Sequence, residues 1–425
     1  MATSKKAPGT GGGEFQAEVL IVGGGMVGLS LGCTLAGAGL AVVVIDRQDP
    51  AASVAAAFDG RSSAIAEGSR RALETAGLWA GMAPGAQPIL DIRVSDGRVG
   101  DAASRLFLHY DHREVGEDPL GYIVENLIIR QALNAVVPDR PSLTVLAPAE
   151  LTALSRESLG VTAELADGRR IQAQLAVAAE GRNSGLREAA GIRCLAWRYP
   201  QTGIVCTIAH DEPHRGVAHE HFLPAGPFAV LPMVDDAEGR HRSSIVWTER
   251  SGLAEAMMAL DDDAFSAEMQ RRFGDSLGRL RLLGRRWAYP LSLLHAERYI
   301  DRRLVLVGDA AHGIHPIAGQ GLNLGLRDVA ALAETLVDAR RLGLDLGSTA
   351  VLQRYQRWRR FDSVMLTAVT DGLNRLFSND LGPLRLARDL GLAAVGRIAP
   401  LKRLLMRHAM GLEGDLPRLI RGQPL

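Results

Sequence analysis

The chain opens its regular pattern with four consecutive apolar residues, Val19 to Val22, followed at once by Gly23-Gly24-Gly25-Met26-Val27-Gly28. An apolar tetrad without alternation, stopped by glycines, predicts a short strand buried on both faces. Ser30 to Ala38 continues as a helix, and Ala41 to Ile45 returns as a second apolar strand that Asp46 ends. Leu175 to Ala179 and Leu304 to Val307 repeat the same short, uninterrupted signature. Residues Leu143 to Glu180 alternate as strands do, with a turn at Asp167-Gly168. Val205 to Ile208, Phe228 to Met233 and Ser243 to Thr248 predict strands of a separate antiparallel sheet, with turns at Pro224-Ala225-Gly226 and from Asp235 to Gly239. Helical spacing is expected after Ala64 as far as Leu78, from Ile123 to Val136, and from about Asn323. A long helix capped by Ser348 would bury Val351, Tyr355, Trp358, Phe361, Met365, Val369, Leu373 and Leu376, at steps of three or four. Pro383 and Pro400 mark the starts of two shorter helices.

This pattern predicts an α/β fold with a Rossmann-type domain built from residues 17–85, 105–190 and 288–345. Residues 86–104 and 191–287 would form an inserted substrate domain on a mixed or antiparallel sheet, and 346–425 a helical C-terminal region. Residues 1–16 contain no apolar stretch and read as a disordered tail, not a signal peptide. Val19 to Ile45 is uncharged, but its glycines and the stop at Asp46 favour a buried strand–helix–strand over a membrane span.

Charge and cysteine content narrow the classes. The formal net charge is zero, so no global field points to nucleic acid. Cys33, Cys194 and Cys206 are odd in number and form no C-x-x-C pair, which suits a reducing compartment without structural disulfides. His210, His214, His219, His221 and His241 match no compact zinc spacing, and no metal is expected.

Two stretches carry the candidate chemistry. In the first, Gly23 would make a tight turn, Gly25 would let a diphosphate approach, and Gly28 would pack helix on strand. Asp46, followed by Arg47, stands where an acid accepts from an adenosine ribose hydroxyl. This is a dinucleotide fingerprint in its required strand–turn–helix–strand context, although it does not separate FAD from NAD. The second stretch runs from Leu304 to Asp328: a buried strand, then Gly308-Asp309, His312, His315, Pro316, and Gly319-Gln320-Gly321-Leu322-Asn323 at a helix start. Bare backbone at Gly319 and Gly321, with the free N–H groups of that helix, would seat a group that develops negative charge.

The second stretch resembles the G-D-x-x-H-x-x-x-P-x-x-G-x-G-x-N pattern of flavoprotein aromatic hydroxylases, and its wording is similar to the ubiquinone-biosynthesis branch of that family. The resemblance extends from about Ala17 to the C-terminus. It implies the para-hydroxybenzoate-hydroxylase-like form of the α/β fold. It implies FAD, with Asp309 on its ribose or ribitol and residues 319–323 at the flavin pyrimidine edge. It places Arg61, in a D-x-R-[ST]-x-A segment, and Arg130 near the cofactor. It also places Glu180 where the family usually has aspartate, a longer arm that leaves NAD(P)H handling less defined. Only one complete dinucleotide fingerprint is present, so NAD(P)H is expected as a transient reductant.

The implied reaction is hydroxylation of the ring of a polyprenylated phenol by molecular oxygen. A proton acceptor would help such chemistry, and His315 and His312 are the candidates. No nucleophile elbow and no H-E-x-x-H motif points to hydrolysis. Two other readings stay open: a flavin-dependent oxidoreductase acting on another aromatic or lipid, and a non-catalytic FAD-binding subunit of a biosynthetic assembly. The basic, leucine-rich C-terminal helices permit contact with a membrane surface or a biosynthetic complex. The expected setting is cytoplasmic, peripheral at the inner membrane if those helices dock there, with self-association open.

Overall fold

The computed structural model describes residues 13–55, 60–100, 107–314, 319–377 and 397–425. The fully apolar tetrads become the centre of a parallel sheet. Its strands lie in the order Ile300–Asp301, Leu304–Leu306, Leu175–Ala178, Val19–Val22, Val42–Ile45 and Leu143–Leu146. All but the first of these pairings are parallel. Every residue of the 19–22, 42–45 and 175–178 strands is buried. Helices Met26–Gly37, Asn126–Val136 and Gly321–Arg341 share one hydrophobic core with them.

A second, eight-stranded sheet stands beside it, in the order His312–Gly313, Leu280–Ala296, Cys194–His210, His241–Arg250, Gly226–Met233, Val217–Leu223, Asp91–Asp96 and Leu108–Asp111. The 280–296 strand is continuous across residues 287 and 288, and through its pairing with His312–Gly313 it ties the sheet to the stretch that follows Leu304–Leu306. One face of this sheet packs Ile204, Phe228, Trp247, Phe265 and Met269 into a core of its own under helices Ser251–Ala259 and Asp262–Phe273.

Several elements depart from the sequence expectations. Ser62–Ala66 and Gly121–Glu125 are antiparallel strands, completed by Ala86–Ile89, and only afterwards do helices Glu67–Thr75 and Asn126–Val136 begin. Short apolar runs suit either state, and here pairing between distant segments decided. Glu14–Gln16, assigned to the tail, pairs in parallel with Arg170–Gln172.

The long helix Thr349–Phe377 buries Leu352, Tyr355, Arg359, Ser363 and Thr367, whereas Phe361 and Met365 are exposed. Beyond Trp358 its buried stripe is therefore polar, because it faces a buried carboxylate on the 321–341 helix. Pro400 does open a helix, Ala399–Ala409; Pro383 lies outside the described residues.

Candidate active site

The loop after Val19–Val22 is shaped by steric necessity. Gly23 has φ +107°, and a Cβ there would sit 2.4 Å from the Ala179 carbonyl oxygen. At Gly28 a Cβ would meet the Gly23 carbonyl oxygen at 1.9 Å. Gly25 faces open space, and no side chain caps the helix that starts at Met26. The first-turn N–H groups are thus left for a ligand, and this cradle fits a diphosphate. Asp46 holds the loop: Oδ2 accepts from Gly24 N at 2.6 Å and Oδ1 from Gln48 N at 2.7 Å. Arg47 is exposed beside it. Gly28 to Gly32 does spell G-x-S-x-G, but inside the helix, where the buried Ser30 Oγ donates to Met26 O at 2.6 Å. It is not a nucleophile elbow.

The second stretch meets the first through Val27. A Cβ on Gly308 would lie 3.3 Å from Val27 Cγ1, and one on Gly325 would lie 2.6 Å from Val27 Cγ2. Two motifs almost three hundred positions apart by numbering therefore share one wall. Gly308 adopts φ +59°, and Asp309 projects a carboxylate that remains 44% exposed. Its partner is Arg182, whose Nε donates to Asp309 Oδ2 at 3.2 Å while the other guanidinium nitrogens bond Ser292 and the Ile314 carbonyl. Arg182 thus fixes Asp309 against the second sheet. It escaped the sequence reading, although it stands two residues after Glu180, directly behind a buried strand.

Glu180 is half-buried and uses one carboxylate oxygen locally. Its Oε2 accepts from Ser184 Oγ at 2.6 Å and Leu186 N at 3.2 Å, bracing the turn into Gly185–Ala189. Gly319 has φ +60°, with a would-be Cβ 3.0 Å from Ala64 Cβ, whereas Gly321 is open. Gln320 sits at the cap position of the helix without a side-chain bond to its end, and Leu322 packs on the main core. Asn323 is buried: Oδ1 accepts from Ala66 N at 2.8 Å, and Nδ2 donates to Ala64 O at 3.0 Å. Its role is to pin the 62–66 strand to the loop. Arg61, at the start of that strand, lies 5.1 Å over the Trp287 ring and donates to Tyr289 OH at 3.4 Å, so it bridges to the second sheet. Arg130 is half-buried on the 126–136 helix.

Of the two histidine candidates, His315 lies outside the described residues, as does Pro316. His312 is fully buried and its Nε2 is 2.7 Å from Asp328 Oδ2. A substrate cannot reach it, so His312 is a positioning residue. Asp328 also accepts from Gly308 N at 2.9 Å and from Arg359 Nε at 2.8 Å. Burial pushes this carboxyl up, but His312 and Arg359 more than offset that and hold it below the ordinary aspartate value. The network continues from Arg359 through Asp362 to Arg327. Asp328 was inside the run singled out from sequence, yet only its contacts reveal its role. Among the described residues no cluster could hold a metal ion.

Comparisons with known proteins agree with this geometry. The family described as FAD binding domain matches residues 16–362. The chain is 54% identical over 425 residues to ubiquinone hydroxylase UbiL of Rhodospirillum rubrum, covering 99% of this chain and 96% of that protein. It is 37% identical over 397 residues to the 3-demethoxyubiquinol 3-hydroxylase of Escherichia coli, covering 93% and 98%. The crystal structure of p-nitrophenol 4-monooxygenase PnpA from Pseudomonas putida superposes with a TM-score of 0.78 at 20% identity, covering 95% and 99%, which shows the shared fold. The chain therefore belongs to the FAD binding domain family, in the branch that holds these ubiquinone hydroxylases, and is an FAD-dependent aromatic hydroxylase that draws its electrons from NAD(P)H.

Proposed function

We propose that this enzyme inserts one atom of molecular oxygen into the ring of a polyprenylated phenol on the way to ubiquinone. The observation that carries this reading is the junction at Val27, where the glycine cradle and the Gly308-Asp309 seat meet, with Arg182 tying Asp309 to Ser292 on the eight-stranded sheet. Two of the curated relatives are named as hydroxylases of ubiquinone or demethoxyubiquinol, which supports a phenol of this class.

When bound, FAD reduced by NAD(P)H supplies the activated oxygen. The protein supplies the rest. Gly23, Gly25 and Gly28 with the uncapped helix hold the diphosphate, and Asp46 and Arg47 flank the adenosine. Asp309, steadied by Arg182, accepts from a ribityl hydroxyl. Gly319 to Gly321 offer backbone donors where negative charge gathers, and Asn323 keeps that loop in place. Arg61 and the sheet close the site from water, as such chemistry requires. In a reaction under labelled oxygen gas with a polyprenyl phenol, one labelled atom is expected in the product hydroxyl. Label arriving only from water would sink the reading.

The domain division at residues 17–85, 105–190 and 288–345 against 86–104 and 191–287 is part of the same proposal. So is peripheral docking on an anionic membrane, with a complex or self-association as alternatives. Ile398, Leu401, Leu404 and Leu405 are exposed on or beside the 399–409 helix, near Arg397, Arg403 and Arg407. None of the helices described is long and apolar enough to cross a membrane, so docking would be at the surface. Co-sedimentation with anionic vesicles is expected at low salt and is expected to weaken at high salt. The same pelleting with neutral vesicles would discard the charge-based contact.

A further inference from the structure

One row of residues crosses the eight-stranded sheet in register: Val94, Glu220, Ala229, Val246, Val205 and Trp287. Neighbours in such a row share a face. The face is fixed at one end by Trp287, which lies under the Arg61 guanidinium. It is fixed along the neighbouring rows by Ala218, Leu231 and Met233, which cluster with Ala64. Ala64 in turn touches the Gly319 position. This is therefore the face turned toward the candidate flavin seat, opposite the core built on Phe228 and Trp247.

Five members of the row are apolar. Glu220 is the exception, and it has no hydrogen-bond or ion-pair partner among the described residues. Its flanking Ala218, Phe222 and Ala229 are buried, yet Glu220 keeps part of its surface open. An unpaired carboxylate in apolar surroundings is destabilising unless something binds it.

We infer that Glu220 is the catalytic base that receives the hydroxyl proton of the phenol. The inference rests on the phenol-hydroxylase reading above. The phenol O–H bond breaks, the proton moves to a Glu220 carboxylate oxygen, and the electron pair stays on the phenolic oxygen. The ring carbons ortho and para to it become richer in electrons and accept the oxygen atom. The O–O bond breaks as the ring carbon takes the first oxygen atom, and the hydrogen displaced from that carbon returns to the phenolic oxygen. The proton on Glu220 and a second hydrogen from the reduced cofactor leave with the second oxygen atom as water, which restores the carboxylate.

Burial pushes the Glu220 carboxyl up to about 7, so it accepts a proton above that pH and is already protonated below it. Several other charged or titratable groups on this side are engaged. Asp96 accepts from Gly97 N, Arg242 pairs with Glu125, Lys402 with Glu114, and burial raises Tyr110 to about 12. His219 and His221, on the same strand, face the opposite side, and burial depresses both.

The test compares holoenzyme and Glu220→Gln with a prenylated phenol and NAD(P)H across pH. Wild-type product formation is expected to fall as pH drops below about 7. Glu220→Gln is expected to lose roughly a hundredfold in product formation and to lose that pH limb, while its FAD content and its melting temperature above neutrality are at least those of the wild type. In Glu220→Ala, added formate is expected to restore part of the turnover, an effect that a purely structural role would not produce. A Glu220→Gln enzyme with wild-type turnover and an unchanged acid limb overturns the inference alone. So does a Glu220→Ala enzyme that binds FAD but gains nothing from formate. A wild type that hydroxylates no phenol overturns the proposed function, and this inference with it.

Discussion

Replacing Gly28 by valine is expected to lower FAD affinity by more than about a hundredfold, which corresponds to about 2.7 kcal/mol. A Cβ at this position meets a backbone oxygen, Gly23 O, at 1.9 Å. Backbone cannot rotate away as a side chain can, so the loop must shift and the cradle with it. Titration of the apoprotein with FAD, followed by flavin fluorescence, measures the loss. Asp309→Ala in the same titration is expected to be milder. It removes one charge-assisted hydrogen bond, worth about 1.5–3 kcal/mol, or about ten- to a hundredfold in affinity. Wild-type affinity in the valine variant would refute the steric account of the cradle. Wild-type affinity in Asp309→Ala would remove that carboxylate from the site and leave the cradle standing.

Asp328→Ala is expected to be the most destabilising single change in the network behind the site, at about 3–5 kcal/mol. The carboxylate is fully buried and serves Gly308 N, His312 and Arg359 together. Its loss leaves the Arg359 guanidinium, 4% exposed, without the acceptor for its Nε. It also frees the backbone of Gly308, next to Asp309, so FAD affinity should fall along with stability.

The pH dependence has a definite sign. Because the folded-state pKa of Asp328 is depressed, its contribution is present above the ordinary aspartate value and is lost as pH falls through the lower folded value. Urea denaturation of both proteins should therefore show a wide gap at neutral pH that narrows in acid. A gap independent of pH would mean that the aspartate acts by packing rather than by charge.

The parallel sheet was legible in the sequence because its strands are buried on both faces. Val19–Val22, Val42–Ile45 and Leu175–Ala178 need no alternation, and glycine and aspartate punctuate them. The cradle was equally legible, since Gly23 and Gly28 are dictated by backbone sterics within a few residues of themselves. Local physics is written locally. Identity of the cofactor came from the resemblance carried by residues 308–323.

What the sequence left undecided depends on contacts between distant segments. Ser62–Ala66 and Gly121–Glu125 are strands because they pair with each other. Phe361 and Met365 look like core residues, yet the helix turns Arg359 and Ser363 inward to meet the 321–341 helix, with Arg359 bonding Asp328. His312 was a plausible base by position, but folding seals it against that same aspartate. Glu180 was expected at the cofactor, and only the structure shows that its Oε2 also braces its own turn. Glu220 lies in His219-Glu220-His221, three consecutive polar residues with no alternation to show which of them faces inward. Only the register of the sheet, which decides which face is turned inward, shows that its carboxylate stands alone among apolar neighbours on the face toward the flavin seat.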